Sequence, residues 1–152
     1  MSTIIFRHSW HGGETMDGER SINLPELIAV GTRERRSVVV SPELTVGHFV
    51  PGMPQVYATP MMIMLMELAA GAAIGPLLPP GYVSVGMEVN VRHLGATAVG
   101  RLVHATAKVV EVTDKTVLFE VEAFDGDRLI GEGTHRRGLV NADAFKKRFN
   151  AS

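Results

Sequence analysis

The longest apolar stretch of the chain covers residues 60–74, PMMIMLMELAAGAAI, and Glu67 is its single charged side chain. Apolar residues surround the whole circumference of a helix built from this stretch, so the pattern predicts a helix buried on all sides. Thr59 and Pro60 mark its start, because a threonine oxygen can cap free amides and a proline suits the first turn. A membrane span needs about 20 apolar residues, so we predict no membrane segment.

After this helix the hydrophobic period changes to two residues. Between residues 83 and 91, valine and methionine alternate with polar or small residues, which predicts a long half-buried strand whose odd-numbered side chains face inward. Turn-like residues at Asp114-Lys115 and at Asp125-Gly126-Asp127 separate further candidates. The remaining predicted strands cover residues 36–40, 101–112, 116–124 and 128–140.

One apolar helix followed by a meander of long strands predicts the α+β class, with a long antiparallel sheet wrapped around one central apolar helix. This arrangement is the hot-dog fold. We predict a single domain over residues 26–152, preceded by a flexible N-terminal arm over residues 1–25 that contains the Gly12-Gly13 pair and many polar side chains.

Composition removes several classes of function. The 15 Lys and Arg residues nearly balance the 16 Asp and Glu residues, so the net charge does not favour a nucleic-acid partner. The chain has no cysteine, which excludes a thiolate nucleophile and cysteine-ligated metal sites. His8 and His11 supply only two ligands in the predicted arm, so we predict no metal and no cofactor. We expect a cytoplasmic protein.

Glu67 is the residue whose position most strongly indicates chemistry. Burying a carboxylate in an apolar helix is costly, so the side chain must find a partner, take up a proton or face a wetted cleft. Its neighbours three and four positions away offer neither a charge nor a side-chain hydrogen bond; they are Ile63, Met64, Ala70 and Gly71. The partner must therefore come from another element, and a purely structural carboxylate is the alternative.

Two further residues are predicted to lie near the helix. The strand alternation places His93 on the inward face, where an imidazole and a buried carboxylate would form an acid and base pair. Thr59 precedes Glu67 by two helical turns, at the end where free amides and the helix dipole favour developing negative charge. Each also has a simpler interpretation, Thr59 as a helix cap and His93 as a hydrogen-bonded histidine at a strand end.

These residues belong to motifs that can be recognised together. The motifs are Val56-Tyr57-Ala58-Thr59, Leu65-Met66-Glu67, and His93 followed by Ala96-Thr97. With them, residues 38–145 resemble the fluoroacetyl-CoA thioesterase family of hot-dog proteins. The resemblance implies that Thr59, Glu67 and His93 form a catalytic triad. It also implies that Gly86 and Arg137 are substrate-binding residues.

The function implied by the resemblance is an acyl-CoA thioesterase, which releases a free acid and coenzyme A from a short or small acyl thioester. Glu67 would be the base or the nucleophile, and a homodimer is implied by analogy with hot-dog proteins. Pro60 stands where the family pattern has glycine, and Ala98-Val99-Gly100 where a proline pair is usual. The resemblance therefore does not extend to the identity of the acyl group.

Two other functions stay open at this point. A hot-dog hydratase or dehydratase acting on an enoyl thioester would use acid and base residues in a similar cleft, and a binding module would hold an acyl thioester without catalysis. Arg136 and Arg137 near the end of the last predicted strand have two interpretations as well, as ligands of coenzyme A phosphates or as a solvated strand end.

Overall fold

The computed structural model describes residues 2–5 and 21–150. The strands are β1 (Ser2–Ile5), β2 (Arg33–Val39), β3 (Tyr82–His93), β4 (Leu102–Val112), β5 (Thr116–Asp125) and β6 (Arg128–Asn141). The helices are α1 (Leu24–Leu27), α2 (Val46–Phe49), α3 (Thr59–Ile74) and α4 (Ala142–Asn150), and 3-10 turns cover Pro42–Leu44 and Gly75–Leu77.

The strands form one antiparallel sheet in the order β1-β3-β6-β5-β4-β2. The central helix α3 packs against the inner face of this sheet, chiefly over β2 and β4. The predicted α+β hot-dog architecture is confirmed. The first predicted strand, residues 36–40, is longer than expected and begins at Arg33, because all seven of its residues pair with β4.

α3 is the core of the molecule. Seven of its side chains are buried, namely Met62, Leu65, Met66, Ala69, Ala70, Ala73 and Ile74. Burying a Leu or Met side chain stabilises a fold by about 1.5–3 kcal/mol, so this face alone anchors the helix. By length and composition the segment Thr59–Leu77, with a mean hydropathy of 1.5, would suffice to cross a membrane. One face of α3 packs against the sheet, as expected for a core helix. Met64 and Leu68 on the opposite face are 47% and 54% exposed, so the prediction of a helix buried on all sides is wrong for a single chain.

β3 does not alternate along its whole length as predicted. Its register with β6 shifts between Gly86 and Glu88, so the strand contains a β-bulge there. After the bulge Val89 and Val91 are buried, as predicted, but before it Val83 is 44% exposed. A bulge exchanges the two faces of a strand, so the prediction of inward odd-numbered residues is wrong for the first half of β3.

The predicted domain boundary at residue 26 lies close to two described elements. Residues 2–5 pair with β3 as its outer neighbour, and Leu24 is fully buried in the core, two positions before the predicted start of the domain at residue 26. Residues 6–20, which include His8 and His11, lie outside the described residues. The flexible arm stays a prediction.

Candidate active site

Thr59 and His93 meet at the N-terminal end of α3. The Thr59 Oγ1 and His93 Nδ1 atoms are 2.8 Å apart, so a hydrogen bond joins residues 34 positions apart in the chain. The Nε2 atom on the other side of the ring is buried and has no hydrogen-bond partner among residues 21–150. Burial lowers the pKa of His93, so its ring is neutral at pH 7.

Thr59 is not the helix cap that the sequence predicts. Ala58 is the N-cap, with an extended backbone, and Thr59 is the first helical residue. The Ala58 carbonyl accepts hydrogen bonds from the amides of Met61 and Met62, and Pro60 has no amide hydrogen. The Thr59 amide is therefore the free donor of this turn within the described part of the chain, and the Thr59 hydroxyl makes no capping bond.

Glu67 lies in a second group of residues at the middle of α3. Its side chain is 32% exposed, and its Oε1 atom is 4.0 Å from the Nε2 atom of His135. A Cβ atom added to Gly86 would come within 2.6 Å of the same Oε1 atom, so the missing side chain makes room for the carboxylate. The sequence predicts His93 as the histidine beside Glu67, whereas the structure places His135 there.

His135 is a buried polar residue of β6, 1% exposed. Its Nδ1 atom lies 2.9 Å from the carbonyl oxygen of Glu88, at the bulge of β3, and its Nε2 atom lies 3.2 Å from Nη1 of Arg137. The ring stacks on Phe119, with centroids 6.3 Å apart. Burial lowers the pKa of His135 to about 4, and the nearby Arg137 charge acts in the same direction.

Arg137 lies on the inner face of the sheet, beside His135. Its Nε and Nη2 atoms donate to the hydroxyl and the carbonyl of Ser84, both at 2.8 Å. A Cβ atom added to Gly71 would be 3.6 Å from the guanidinium carbon, so α3 passes closely over it. Burial lowers the pKa of Arg137, and the charge of Glu67 opposes this.

The neighbouring arginine, Arg136, lies on the opposite face of β6. It donates to the Thr116 hydroxyl at 2.9 Å and forms an ion pair with Glu111 at 3.5 Å. The two arginines therefore do not form one phosphate-binding patch, because consecutive residues of a strand point to opposite faces.

The predicted site residues thus form two groups within one chain. Thr59 and His93 form the first, and Glu67, Gly86 and Arg137 surround the second together with His135. Glu67 follows Thr59 by eight positions, which is about 12 Å along a helix axis. Sequence reasoning missed His135 as a site residue, although its position two residues before Arg137 puts it on the same strand face.

The segment that leads into α3 carries the aromatic and methionine side chains Phe49, Met53 and Tyr57. Phe49 and Met53 are 54% and 48% exposed. Tyr57 is buried, its hydroxyl donates to the Met61 carbonyl at 3.1 Å, and burial raises its pKa to about 12. Tyr57 therefore supports the start of α3, whereas Phe49 and Met53 lie at the protein surface.

A buried carboxylate secures the loop that follows His93. Asp125, at 6% exposure, accepts hydrogen bonds from Arg101 at 2.8 Å and Arg128 at 3.0 Å, and Arg128 also donates to the Ala96 carbonyl. Burial raises the pKa of Asp125, but the two arginines outweigh it and hold the pKa below its usual value. The same loop receives the Tyr57 amide at the Thr97 carbonyl, which ties it to the start of α3.

The chain is similar in sequence to the proteins of one family. Residues 40–143 match the model of the family described as fluoroacetyl-CoA-specific thioesterase. The fluoroacetyl-CoA thioesterase of Streptantibioticus cattleyicolor is 38% identical over 122 residues, which is 76% of this chain and 88% of that protein.

Solved structures give the same result. A structure of the fluoroacetyl-CoA thioesterase matches with a TM-score of 0.77 and 35% identity, over 82% of this chain and 97% of that one. A hot-dog-like protein from Thermanaerovibrio acidaminovorans matches with a TM-score of 0.78 and 27% identity, over 86% and 96% of the two chains. A thioesterase superfamily member from Thermus thermophilus matches with a TM-score of 0.75 and 31% identity, over 82% and 92%.

Proposed function

Because this chain belongs to the fluoroacetyl-CoA-specific thioesterase family and is an acyl-CoA thioesterase, we propose that its site hydrolyses the thioester of a short or small acyl group with Thr59, Glu67 and His93 as catalytic residues. The observation that carries the proposal is the 2.8 Å hydrogen bond between Thr59 and His93 at the N-terminus of the buried helix. We also place the protein in the cytoplasm, where acyl-CoA is found.

The Thr59 and His93 pair supplies hydrogen-bond donors that polarise the thioester carbonyl. When the Thr59 hydroxyl donates to Nδ1, the neutral ring carries its proton on Nε2, the atom that has no partner within the described residues. We propose that this N–H donates to the thioester carbonyl when the acyl group is bound. The free Thr59 amide, at the positive end of the helix dipole, is the second donor for the oxyanion that develops on the thioester carbonyl.

Glu67 activates the attacking group. As a general base its carboxylate takes a proton from water while the water oxygen bonds to the acyl carbon. As a nucleophile its oxygen bonds to the acyl carbon, the C–S bond breaks, and water then hydrolyses the mixed anhydride. In the first route the C–S bond then breaks and the departing thiolate of coenzyme A takes up the proton that Glu67 removed from water. In the second route the thiolate takes up the proton released when water hydrolyses the anhydride. Neutral His93 keeps its Nε2 proton throughout and acts as a hydrogen-bond donor, and a free acid remains.

The distance between the two groups of residues favours a site that two copies of the chain complete. About 12 Å of helix separates Thr59 from Glu67, too far for both to contact one acyl carbon. Met64 and Leu68 flank Glu67 and are 47% and 54% exposed. Among the described strands, β1 covers only Glu88–Val91 of the outer edge of β3, which leaves Tyr82–Met87 free to pair with a second chain. We therefore propose a homodimer in which Glu67 of one copy meets Thr59 and His93 of the other.

Release of free thiol from a panel of acyl-CoA esters tests the reaction. We expect hydrolysis of short acyl esters, and we expect Glu67→Gln to lower kcat by about 1,000-fold or more without loss of folding. Glu120→Gln, an exposed carboxylate on the outer face of the sheet, is the matched control. An enoyl-CoA that gains water while its thiol stays bound would support a hydratase instead, and acyl-CoA binding without turnover would support a binding module.

Mixing two inactive variants tests the shared site. Glu67→Gln and His93→Gln copies are each inactive, but a mixed dimer contains one site with an intact Glu67, Thr59 and His93. After subunit exchange we expect recovery of up to about a quarter of wild-type activity, because half of the dimers are mixed and half of their sites are intact. A mixture that stays inactive although exchange is complete would place the whole site within one chain.

A further inference from the structure

The buried histidine His135 has no role in the reaction as described above, although it lies against two of the site residues. It is 1% exposed, and a Cβ atom on Gly86 would come within 3.1 Å of its Cε1 atom. A buried imidazole is costly unless its nitrogens are bonded, and both nitrogens of His135 have partners. The two partners define its protonation.

We propose that His135 is a positioning residue of the thioesterase, which presents an unprotonated Nε2 atom to Arg137 and thereby fixes the guanidinium beneath α3 next to Glu67. The proposal deepens the proposed function and rests on it. His135 itself contacts no substrate in this scheme. It acts through the orientation of Arg137 and through the β3 bulge that contains Gly86.

The proton of the neutral His135 ring lies on Nδ1. The Glu88 carbonyl can only accept, so the Nδ1 atom at 2.9 Å must be the one that carries the proton. The neutral ring then has a lone pair on Nε2, and the Arg137 Nη1 atom, which can only donate, lies 3.2 Å from it. The backbone of the bulge therefore selects the tautomer that Arg137 requires.

The guanidinium of Arg137 is held by hydrogen bonds from two neighbouring strands. Three of its nitrogens are engaged, two with Ser84 of β3 and one with His135 of its own strand. These bonds hold the planar guanidinium in one place from two directions. Removing the His135 acceptor would leave only Ser84, on one edge of the fork, so the group could turn away from Glu67.

The charged groups around His135 also favour its neutral form. The titratable groups that face His135 are Glu67 from α3 and Arg137 from β6, whereas β3 and β5 present the apolar Val89 and Phe119 opposite it. A proton on Nε2 would break the Arg137 bond and set two cations side by side. It would also attract the Glu67 carboxylate, now 4.0 Å away, out of its position. Burial keeps the pKa of His135 near 4, so neither happens at neutral pH.

Two substitutions separate the two bonds of the ring. The side-chain amide of His135→Gln reaches the position of Nε2 and offers Arg137 an acceptor, while that of His135→Asn reaches only the position of Nδ1 and serves Glu88. We expect kcat/KM of the Gln variant to stay within about fivefold of wild type and that of the Asn variant to fall by about 30-fold. His104→Gln, on the outer face where His104 stacks on Phe124, is the matched control and keeps wild-type kinetics.

The division of the loss between kcat and KM distinguishes positioning from folding. We expect the Asn variant to bind substrate with little change in KM and to lose kcat, with an acid limb of the pH profile moved relative to wild type. If both variants only lower the melting temperature and their folded fraction turns over at the wild-type rate, His135 is structural and the proposal is wrong. If Asn retains activity and Gln loses it, the Glu88 bond rather than the Arg137 bond matters, which also overturns it.

The tautomer of His135 can be measured on the wild-type protein, without an activity assay and without a variant. Nitrogen-15 NMR of the histidine rings should assign His135 as the Nδ1–H tautomer, with an unprotonated Nε2 down to about pH 5. An Nε2–H tautomer, or protonation near pH 6.5, would refute the proposal. The NMR result does not depend on thiol release. If the protein hydrolysed no acyl-CoA, the proposed function would be wrong, while the NMR spectrum would still decide the tautomer of His135.

Discussion

The polar side chains at the N-terminal end of α3 and at its middle have different hydrogen-bond partners. At the end, Thr59 and His93 bond to each other at 2.8 Å, so the pair is complete within one chain. At the middle, Glu67 is 32% exposed and stands 4.0 Å from its nearest histidine, beyond hydrogen-bond distance. A group that is already bonded is held still, whereas a carboxylate with free lone pairs is available to a ligand.

The surroundings of the two regions differ in the same sense. The loop behind His93 is tied down by Asp125, Arg101 and Arg128, and the start of α3 by the Tyr57 hydroxyl. Around Glu67 the chain instead removes side chains, at Gly86 and at Gly71, and buries two cationic or basic groups, Arg137 and His135. The N-terminal end of α3 is therefore stabilised by added contacts, whereas the region around Glu67 depends on missing side chains. Removing a contact should disable the first region, and adding a side chain should disable the second.

The largest effect is expected from filling the space at Gly86. In Gly86→Ala the new Cβ atom would lie 2.6 Å from Glu67 Oε1 and 3.1 Å from His135 Cε1, so the carboxylate must move. We expect kcat to fall by about 1,000-fold, measured by thiol release, with an unchanged circular dichroism spectrum. Gly75→Ala is the control, because nothing lies within 4 Å of an added Cβ there. Equal activity of both variants would show that Glu67 does not act from this position.

The second effect breaks the bonded pair at the end of the helix. Thr59→Val keeps the shape of the side chain and removes the hydroxyl, so His93 loses its Nδ1 partner. We expect a loss of about 100-fold in kcat, while Thr59→Ser stays within about tenfold because its hydroxyl can still reach the ring. A Val variant as active as the Ser variant would reduce Thr59 to a packing residue.

A smaller effect is expected from loosening the loop behind His93. Asp125→Asn removes the negative charge that Arg101 and Arg128 share, and Arg128 would no longer be held against the Ala96 carbonyl. We expect kcat to fall by about tenfold and the melting temperature to drop by several degrees, because a buried charge-assisted bond contributes about 1.5–3 kcal/mol. Asp127→Asn, in the adjoining turn, is the control. Loss of stability at full kcat would limit Asp125 to a structural role.

The smallest effect concerns pH and stability. His135 stays neutral in the folded protein down to about pH 4, whereas in the unfolded chain it takes up a proton near pH 6.5. The unfolded state therefore binds more protons in this window, so stability falls as the pH drops from about 6.5 toward 4. We expect a loss of about 1 kcal/mol between pH 7.5 and pH 5.5 in denaturant titrations. His135→Gln should flatten this slope, and an equally steep slope in that variant would contradict the burial of a neutral ring.

Parts of this molecule were accessible to sequence reasoning because they depend on local patterns. The apolar run from residue 60 to 74, interrupted only by Glu67, predicts α3 almost to the residue, although a single chain covers only one face of the helix. The two-residue alternation and the turn residues predict the meander of β4, β5 and β6. The cost of a carboxylate in such a helix singles out Glu67, and the motifs around it indicate the thioesterase family, which the comparisons confirm.

Other parts were inaccessible because they depend on contacts between distant segments. No pattern in β3 reveals the bulge between Gly86 and Glu88, which arises from its pairing with β6 and reverses the face of the residues before it. The sequence also predicts His93 beside Glu67, whereas the structure has His135 there. The position of β6 under α3 decides which imidazole lies close to the carboxylate.

Hydrophobic periodicity and the cost of burying charge act along the chain, so they are enough to predict a core helix with one carboxylate packed against an antiparallel sheet. The bond of Thr59 to His93 in place of a helix cap, and the position of Glu67 over Gly86 beside His135, depend on contacts between distant segments. A hydrogen bond is sensitive to a few tenths of an ångström and to direction, which a periodic pattern does not encode. Register, bulge and helix placement set those distances.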